Sequence, residues 1–312
     1  MLRRYIILIL CVTFLTLTPA CSQPDSKVIP KPDLPIPSGD GSGQPEFELA
    51  TDIPTVPETM MVYRAIPPDI TVESVTELGR KFGFTGEAHS RFTPYEEEFW
   101  ISDKETGASL IVNGNSGGID YHSTRDLDSI FDAKNPSLPS YEEAAKIATD
   151  FLVEKGLLPA DRYLKEVDCG GSRGDSQGNV VVTHLVVTFG RKIDGIPVTG
   201  GKFGVRIGDK GKVGKLLIMH REVEPYQEVP IKSSAEAFED LKNRNVGEGV
   251  TQYILPVGCA KVVLDEMYLA YKVDIIHIKQ EYVSPVYKFK GECFDEDGNS
   301  QGNFTGYVQA MK

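Results

Sequence analysis

Val180–Met219 reads VVVTHLVVTFGRKIDGIPVTGGKFGVRIGDKGKVGKLLIM, and its alternation sets the expected fold. In Val180–Phe189 one face carries Val181, Leu185, Val187 and Phe189, and the other carries Val180, Val182 and Val186. A strand apolar on both sides is expected to be central and covered. Phe203, Val205 and Ile207 alternate with Lys202, Gly204 and Arg206, which predicts a second strand with one buried face. Gly208-Asp209-Lys210-Gly211 supplies positions that tolerate positive φ, giving a short reversal into a third strand over Val213–Met219.

Phe189-Gly190-Arg191-Lys192-Ile193-Asp194-Gly195-Ile196-Pro197-Val198-Thr199-Gly200, followed by an alternating strand and a Gly turn, resembles the strand pattern of the PepSY-like superfamily. That superfamily includes propeptide domains of thermolysin-type proteases and extracytoplasmic regulatory lipoproteins. The resemblance covers roughly residues 140–235. It implies a non-catalytic helix-plus-antiparallel-sheet module used for inhibition, chaperoning or sensing, with no catalytic residue to carry over.

Outside this stretch a theme recurs. A cap at Thr71 or Asp69 opens a helix with Val72, Val75, Leu78 and Phe82 on one face, and strand candidates follow at Glu96–Ser102, Ala108–Val112 and Gly118–His122. Ser140-Tyr141-Glu142-Glu143 is a capping box before Ala144, Ile147, Ala148 and Phe151, with Gly156 as the stop. Ser233-Ser234-Ala235-Glu236 is a second box, ahead of strands at Val262–Val273, Val283–Phe289 and Phe304–Ala310. The expected class is therefore α+β, with two or three PepSY/cystatin-like units of helix plus antiparallel sheet and helices on one face of each sheet. The units are placed at residues 58–135, 136–231 and 232–312. The helix-free faces are where a binding function is expected. The third unit is the most aromatic, with Tyr268, Tyr271, Tyr282, Tyr287, Phe289, Phe294, Phe304 and Tyr307, read as a small core or as a partner-binding surface.

The N-terminus points to export. Met1-Leu2-Arg3-Arg4 is basic, Tyr5–Leu17 is apolar but short of the ~20 residues that span a bilayer, and Thr18-Pro19-Ala20-Cys21 resembles a lipobox apart from Pro19. A bacterial signal peptide over residues 1–21 is expected, with lipidation at Cys21 anchoring the protein to the membrane on its extracytoplasmic side. Residues 22–57, rich in Pro with a Ser38–Gly43 run of Ser, Gly and Asp, read as a tether.

The 312 residues carry a formal charge of −12, or −14 once Arg3 and Arg4 leave with the leader, which argues against nucleic acid as a partner. Of five cysteines, Cys11 lies in the leader and Cys21 is the lipid candidate, leaving Cys169, Cys259 and Cys293. Cys259 and Cys293 lie in one unit near strand ends and are a candidate disulfide, with free thiols the alternative.

Gly-x-Ser-x-Gly occurs at Gly114–Gly118, Gly170–Gly174 and Gly298–Gly302. A nucleophile elbow needs a strand running into a helix, whereas each of these precedes another strand and reads as a polar turn. His89, His122, His184, His220 and His277 show neither an i, i+4 pair nor HExxH. Asp295-Glu296-Asp297-Gly298-Asn299-Ser300 lacks the Gly and distal Glu of a calcium loop and reads as a hairpin turn. No catalytic, cofactor or metal residues are assigned. The expected function is a non-catalytic lipoprotein that binds another envelope protein in a regulatory or protease-inhibitor-like role. A solute- or small-ligand-binding lipoprotein is the alternative, and a hydrolase is a distant third.

Overall fold

In the computed structural model the described residues are 45–93, 96–124, 128–131, 136–174, 180–243 and 251–312. Cys21, the leader and the tether up to residue 44 lie outside them. Strands β1 (Glu46–Leu49) and β2 (Thr59–Ala65) precede helix α1 (Val72–Lys81). Then come β3 (His89–Phe92), β4 (Glu97–Ser102), β5 (Ser109–Asn113), β6 (Ile119–His122), the single-turn α2 (Asp128–Phe131) and α3 (Tyr141–Lys155). The central run is β7 (Arg162–Gly174), β8 (Val180–Ile193), β9 (Ile196–Thr199), β10 (Phe203–Ile207), β11 (Val213–Ile218) and β12 (Val223–Pro230). Helix α4 (Ser234–Lys242) leads to β13 (Thr251–Ile254), β14 (Lys261–Lys272), β15 (Tyr282–Phe294) and β16 (Ser300–Gln309).

The expectation of two or three helix-plus-antiparallel-sheet units is corrected by the strand pairing. The strands form one continuous mixed sheet in the order β12-β2-β15-β14-β9-β8-β10-β11-β6-β5-β4-β3, with β7 also on β8, β1 on β14, β16 on β15 and β13 on β16. Strands dominate, and among the described residues three helices exceed one turn. One short strand bridges its two parts, and a second extends it. Strand β9 follows the Asp194-Gly195 turn, where both residues have positive φ (49° and 81°). It pairs antiparallel with β8 through Ile193↔Ile196 and parallel with β14 through Tyr271↔Val198. Strand β1 adds parallel to β14, with Phe47 edge-on to Tyr253 and Phe304. Parallel pairs between segments tens of residues apart leave no periodic mark in the sequence.

The helices follow local chemistry. Ser140 caps α3 and Glu143 bonds back to the cap, while Gly156 closes the helix at φ 68°. Ala144, Ala148 and Leu152, one turn apart, bury that face against Leu185, Val187, Phe203, Val205 and Leu216 of β8, β10 and β11. Helix α1, capped at Thr71, adds Val75 to the same core. The opposite face of these three strands therefore has no helix from this pair, and Val186, Thr188, Gly204, Arg206, Lys215 and Leu217 on it are half-buried or exposed. Helix α4 packs on β16 with Leu241 against Gly306.

Cys259 and Cys293, 34 positions apart in sequence, are joined in a disulfide with Cα atoms 5.6 Å apart. Closing a loop of that length restricts the unfolded chain by an amount equivalent to roughly 2–4 kcal/mol. Cys259→Ser with Cys293→Ser is therefore expected to shift the urea midpoint by that free energy. An unchanged midpoint in non-reducing buffer would show that the bond contributes nothing.

Candidate functional site

A cavity of about 640 Å³ lies between the helix-free face of β8, β10 and β11 and the outer face of β14, β15 and β16. Its first wall is built in register. Arg206 lies between Val186 and Lys215, and Gly204 lies between Thr188 and Leu217, with Lys202 beyond. Side chains two apart on a strand share a face at ~7 Å spacing, so Lys202 and Arg206 bracket Gly204. A β-carbon at Gly204 would make only ordinary contact, 3.7 Å from Val186. The opposite wall centres on Lys288, which is in register with Tyr268 on one side and Tyr307 on the other, with Lys290 two residues on.

Arginines form the third side. Arg191 donates to Asp161 (2.5 Å) and to the backbone oxygen of Arg221 (2.6 Å). Arg221 is itself held by Gln280 at 2.9 Å and by the carbonyls of Ile275 and Ile278, which ties the segment after β14 to the end of β11. The Arg162 side chain is only 6% exposed; its guanidinium lies 5.1 Å over the Phe203 ring, and its Nε has no hydrogen-bond partner among the described residues. Burial, with Arg191 nearby, lowers its pKa to about 10. Arg162 also donates to His220 Nδ1. A guanidinium has no acceptor, so Nδ1 accepts and the imidazole proton sits on Nε2, which donates to Glu222 at 2.6 Å. Burial first, opposed by Glu222 and reinforced by Arg162 and Arg191, keeps His220 below its ordinary pKa and hence neutral.

Nine Lys and Arg side chains line the cavity and no Asp or Glu does, among the described residues, in a chain of charge −12. Lys165, Arg191, Lys215 and Lys290 pair with carboxylates outside the lining: Glu166, Asp161, Asp120 and Glu266. Lys202, Arg206, Arg221 and Lys288 have no carboxylate within 4.0 Å among the described residues. Lys288 Nζ instead donates to Thr199 Oγ1 at 3.1 Å, and Thr199 Oγ1 lies 3.2 Å from the Tyr307 hydroxyl. Burial, then the ammonium groups of Lys290 and Lys165, lowers its pKa to about 8. Like charges held together in a concave, partly dry site focus a positive field and select anions.

The residues singled out in the sequence fall elsewhere or in part here. Tyr268 and Tyr307 face the cavity, whereas Tyr271, Tyr282, Tyr287, Phe289 and Phe304 are core. Ser116 is buried in the β5–β6 turn, bonded to Asn113, and Ser300 opens β16, bonded to Glu292. Ser172 lies inside β7 rather than in a turn, because bulges between Cys169 and Ser172 let the strand continue. Asp295 accepts from the backbone N–H groups of Asp297 and Asn299 in the β15–β16 turn; these bonds, that from Asn299 foremost, hold its carboxyl below the usual range. Glu96, Glu98 and His277 converge, but Glu96 is bonded to Asn113 and His277, and Glu98 to Arg91. Cys169 is free and exposed. The cavity residues escaped the sequence reading, although residues 191–215 hold seven Lys or Arg against two Asp, an excess that runs against the acidic whole.

No family model matches the chain, and no curated protein sequence does. An uncharacterised protein from Eubacterium rectale ATCC 33656, known from its crystal structure, superposes with a TM-score of 0.51 at 13% identity, over 86% of this chain and 88% of that one. At that identity the likeness concerns the fold alone. No helix among the described residues is long and apolar enough to cross a membrane.

Proposed function

We propose that this protein is a non-catalytic binding protein that takes a small anionic ligand into the cavity between the two parts of its sheet, acting outside the cytoplasm as a lipoprotein anchored at Cys21. The observation that carries the ligand class is the cavity lining of nine cations and no carboxylate. The export signal carries the location, and palmitate incorporation that persists in Cys21→Ala would overturn it. Calorimetry with citrate, tripolyphosphate and inorganic phosphate, against neutral glucose, tests the binding. Saturable uptake of at least one anion and none of glucose is expected, and indifference to all the anions would end the proposal.

A second reading keeps the PepSY-like resemblance, with an envelope protein as the occupant. Strand β7 favours it: among the described residues β7 pairs with β8 alone, and Tyr163 and Leu164 on it are 40% and 48% exposed. An acidic segment added along that edge would reach Lys165 and the cavity mouth. Retention of an envelope protein that citrate does not displace supports this second reading over the first.

The pKa of Lys288 gives a pH signature. Its folded value of about 8 lies below the 10.5 of a free lysine, so the folded apo protein binds fewer protons than the unfolded chain between those values. Through this group apo stability rises as pH climbs from about 8 to 10.5, while anion affinity falls over the same window as the ammonium is lost. Lys288→Met should raise the apo melting midpoint by roughly 1–3 °C, a small effect because the site is partly solvated. The same substitution should flatten the pH dependence of binding above pH 8.

A further inference from the structure

Lys288 differs from the other cations of the cavity in what surrounds it. Its nitrogen has a hydroxyl partner, Thr199 Oγ1 at 3.1 Å, and no carboxylate within ion-pair reach among the described residues. The ring of Tyr307 lies 5.6 Å from it, and Tyr268 and Tyr307 flank it in register on the strands either side. Thr199 Oγ1 also meets the Tyr307 hydroxyl at 3.2 Å, so amine, hydroxyl and phenol form one chain of exchangeable protons. An amine placed among other cations and partly removed from water is the arrangement that makes a lysine nucleophilic, because both effects disfavour the ammonium.

We propose, building on the anion-site reading above, that Lys288 captures an anionic carbonyl compound as a reversible Schiff base. The ligand class is an aldehyde or ketone whose carbonyl carbon lies a few bonds from a carboxylate or phosphate. The anionic group is held by the unpaired cations of the facing wall, Arg206 and Lys202, while the carbonyl carbon meets the Lys288 nitrogen. The nitrogen lone pair forms the new C–N bond and the C=O π pair moves to oxygen, giving a carbinolamine. Nitrogen sheds its proton, the hydroxyl oxygen is protonated and leaves as water, and the C=N bond forms. One amine and one carbonyl become one imine and one water, with no oxidant or reductant. Hydrolysis reverses every step, so the event is capture and release rather than turnover.

The neutral fraction of the amine makes this practicable near neutrality. With a pKa of about 8, about one Lys288 in ten is unprotonated at pH 7, against fewer than about one in a thousand for an ordinary lysine near 10.4. The charged and titratable groups around it are Lys165 and Glu166 of β7, Lys290 of β15, Glu266 and Tyr268 of β14, and Tyr307 of β16. Burial first and then the two ammonium groups keep the value low, and the two carboxylates partly oppose them.

The test is hydride trapping on the full chain. Glyoxylate and pyridoxal 5′-phosphate, the carboxylate and phosphate forms of the probe, and neutral propanal are each incubated with the protein at pH 7 and reduced with cyanoborohydride, and the adducts are mapped by mass spectrometry. One adduct at Lys288 is expected from either or both anionic aldehydes, at least tenfold above propanal and suppressed by tripolyphosphate, which has no carbonyl. Which anionic probe labels better identifies the anion the facing wall prefers. Lys288→Arg should keep the charge and lose the adduct. The rate of labelling should follow the deprotonation of one group near pH 8, an inflection that a lysine of ordinary pKa would not give. Labelling spread over exposed lysines such as Lys104 and Lys212, or equal labelling of Lys288 by propanal, overturns the proposal. If tripolyphosphate binds but no aldehyde is trapped at Lys288, the Schiff-base proposal fails while the anion site stands. If nothing anionic binds and nothing is trapped, both fail together.

Discussion

Arg206→Glu is expected to weaken binding of a small anion by about 30- to 150-fold while leaving the fold intact. Arg206 is exposed on the helix-free face of β10, in register with Val186 and Lys215, and has no carboxylate partner among the described residues. Reversing a charge ~5 Å from a bound anion, at the effective dielectric of about 50 that suits an exposed side chain, removes attraction and adds repulsion of about 1.3 kcal/mol each, together about 2–3 kcal/mol. The new carboxylate also neutralises Lys215, its cross-strand neighbour. Arg206→Gln removes only the attraction and should cost about 3- to 10-fold in affinity. Since the substitution relieves like-charge crowding, the melting midpoint should stay level or rise slightly. Titration calorimetry and a thermal melt on the same samples decide the matter: unchanged affinity for every anion that the wild type binds would place the ligand elsewhere.

Phe203→Ala is expected to destabilise the protein by about 3–5 kcal/mol and to impair binding as well. The ring is 2% exposed, packs 5.3 Å from Phe189 in the core beneath α3, and has the Arg162 guanidinium 5.1 Å from its centroid. Truncation leaves a cavity and also removes the support of a buried cation whose Nε makes no hydrogen bond among the described residues. Leu185→Ala, on the neighbouring strand and 2% exposed, should cost about 2–5 kcal/mol through the cavity alone. Urea denaturation measures both. The distinguishing readout is anion affinity at low temperature, where both variants are folded: reduced for Phe203→Ala and near wild type for Leu185→Ala. Equal affinities in the two would separate the Phe203–Arg162 stack from the site.

Local chemistry was legible in the chain. The apolar alternation of Val180–Phe189, Phe203–Ile207 and Val213–Met219 corresponds to β8, β10 and β11, and the boxes at Ser140–Glu143 and Ser233–Glu236 to the starts of α3 and α4. These signals depend on residues within a few positions of one another, so the sequence carries them whatever surrounds it. Strand β7 was illegible because RYLKEVDCGGSRG has no apolar alternation; it is held by pairing along β8 through several bulges. The helix-plus-sheet reading of the whole failed for the same reason at larger scale, since β9 unites the sheet by pairing parallel with β14 and antiparallel with β8.

What the sequence by itself determined is where the strongly alternating strands lie, where the capped helices begin, and the acidic balance of the chain. The tertiary structure alone decided that Arg162, Arg206 and Lys288, each an unremarkable polar position on its own strand, face one space. The physical reason is that a lone cation on a strand is indistinguishable from a solvated one until the opposite wall is known. Sheet order, set by contacts far apart in the chain, turns scattered surface charges into a concentrated positive field.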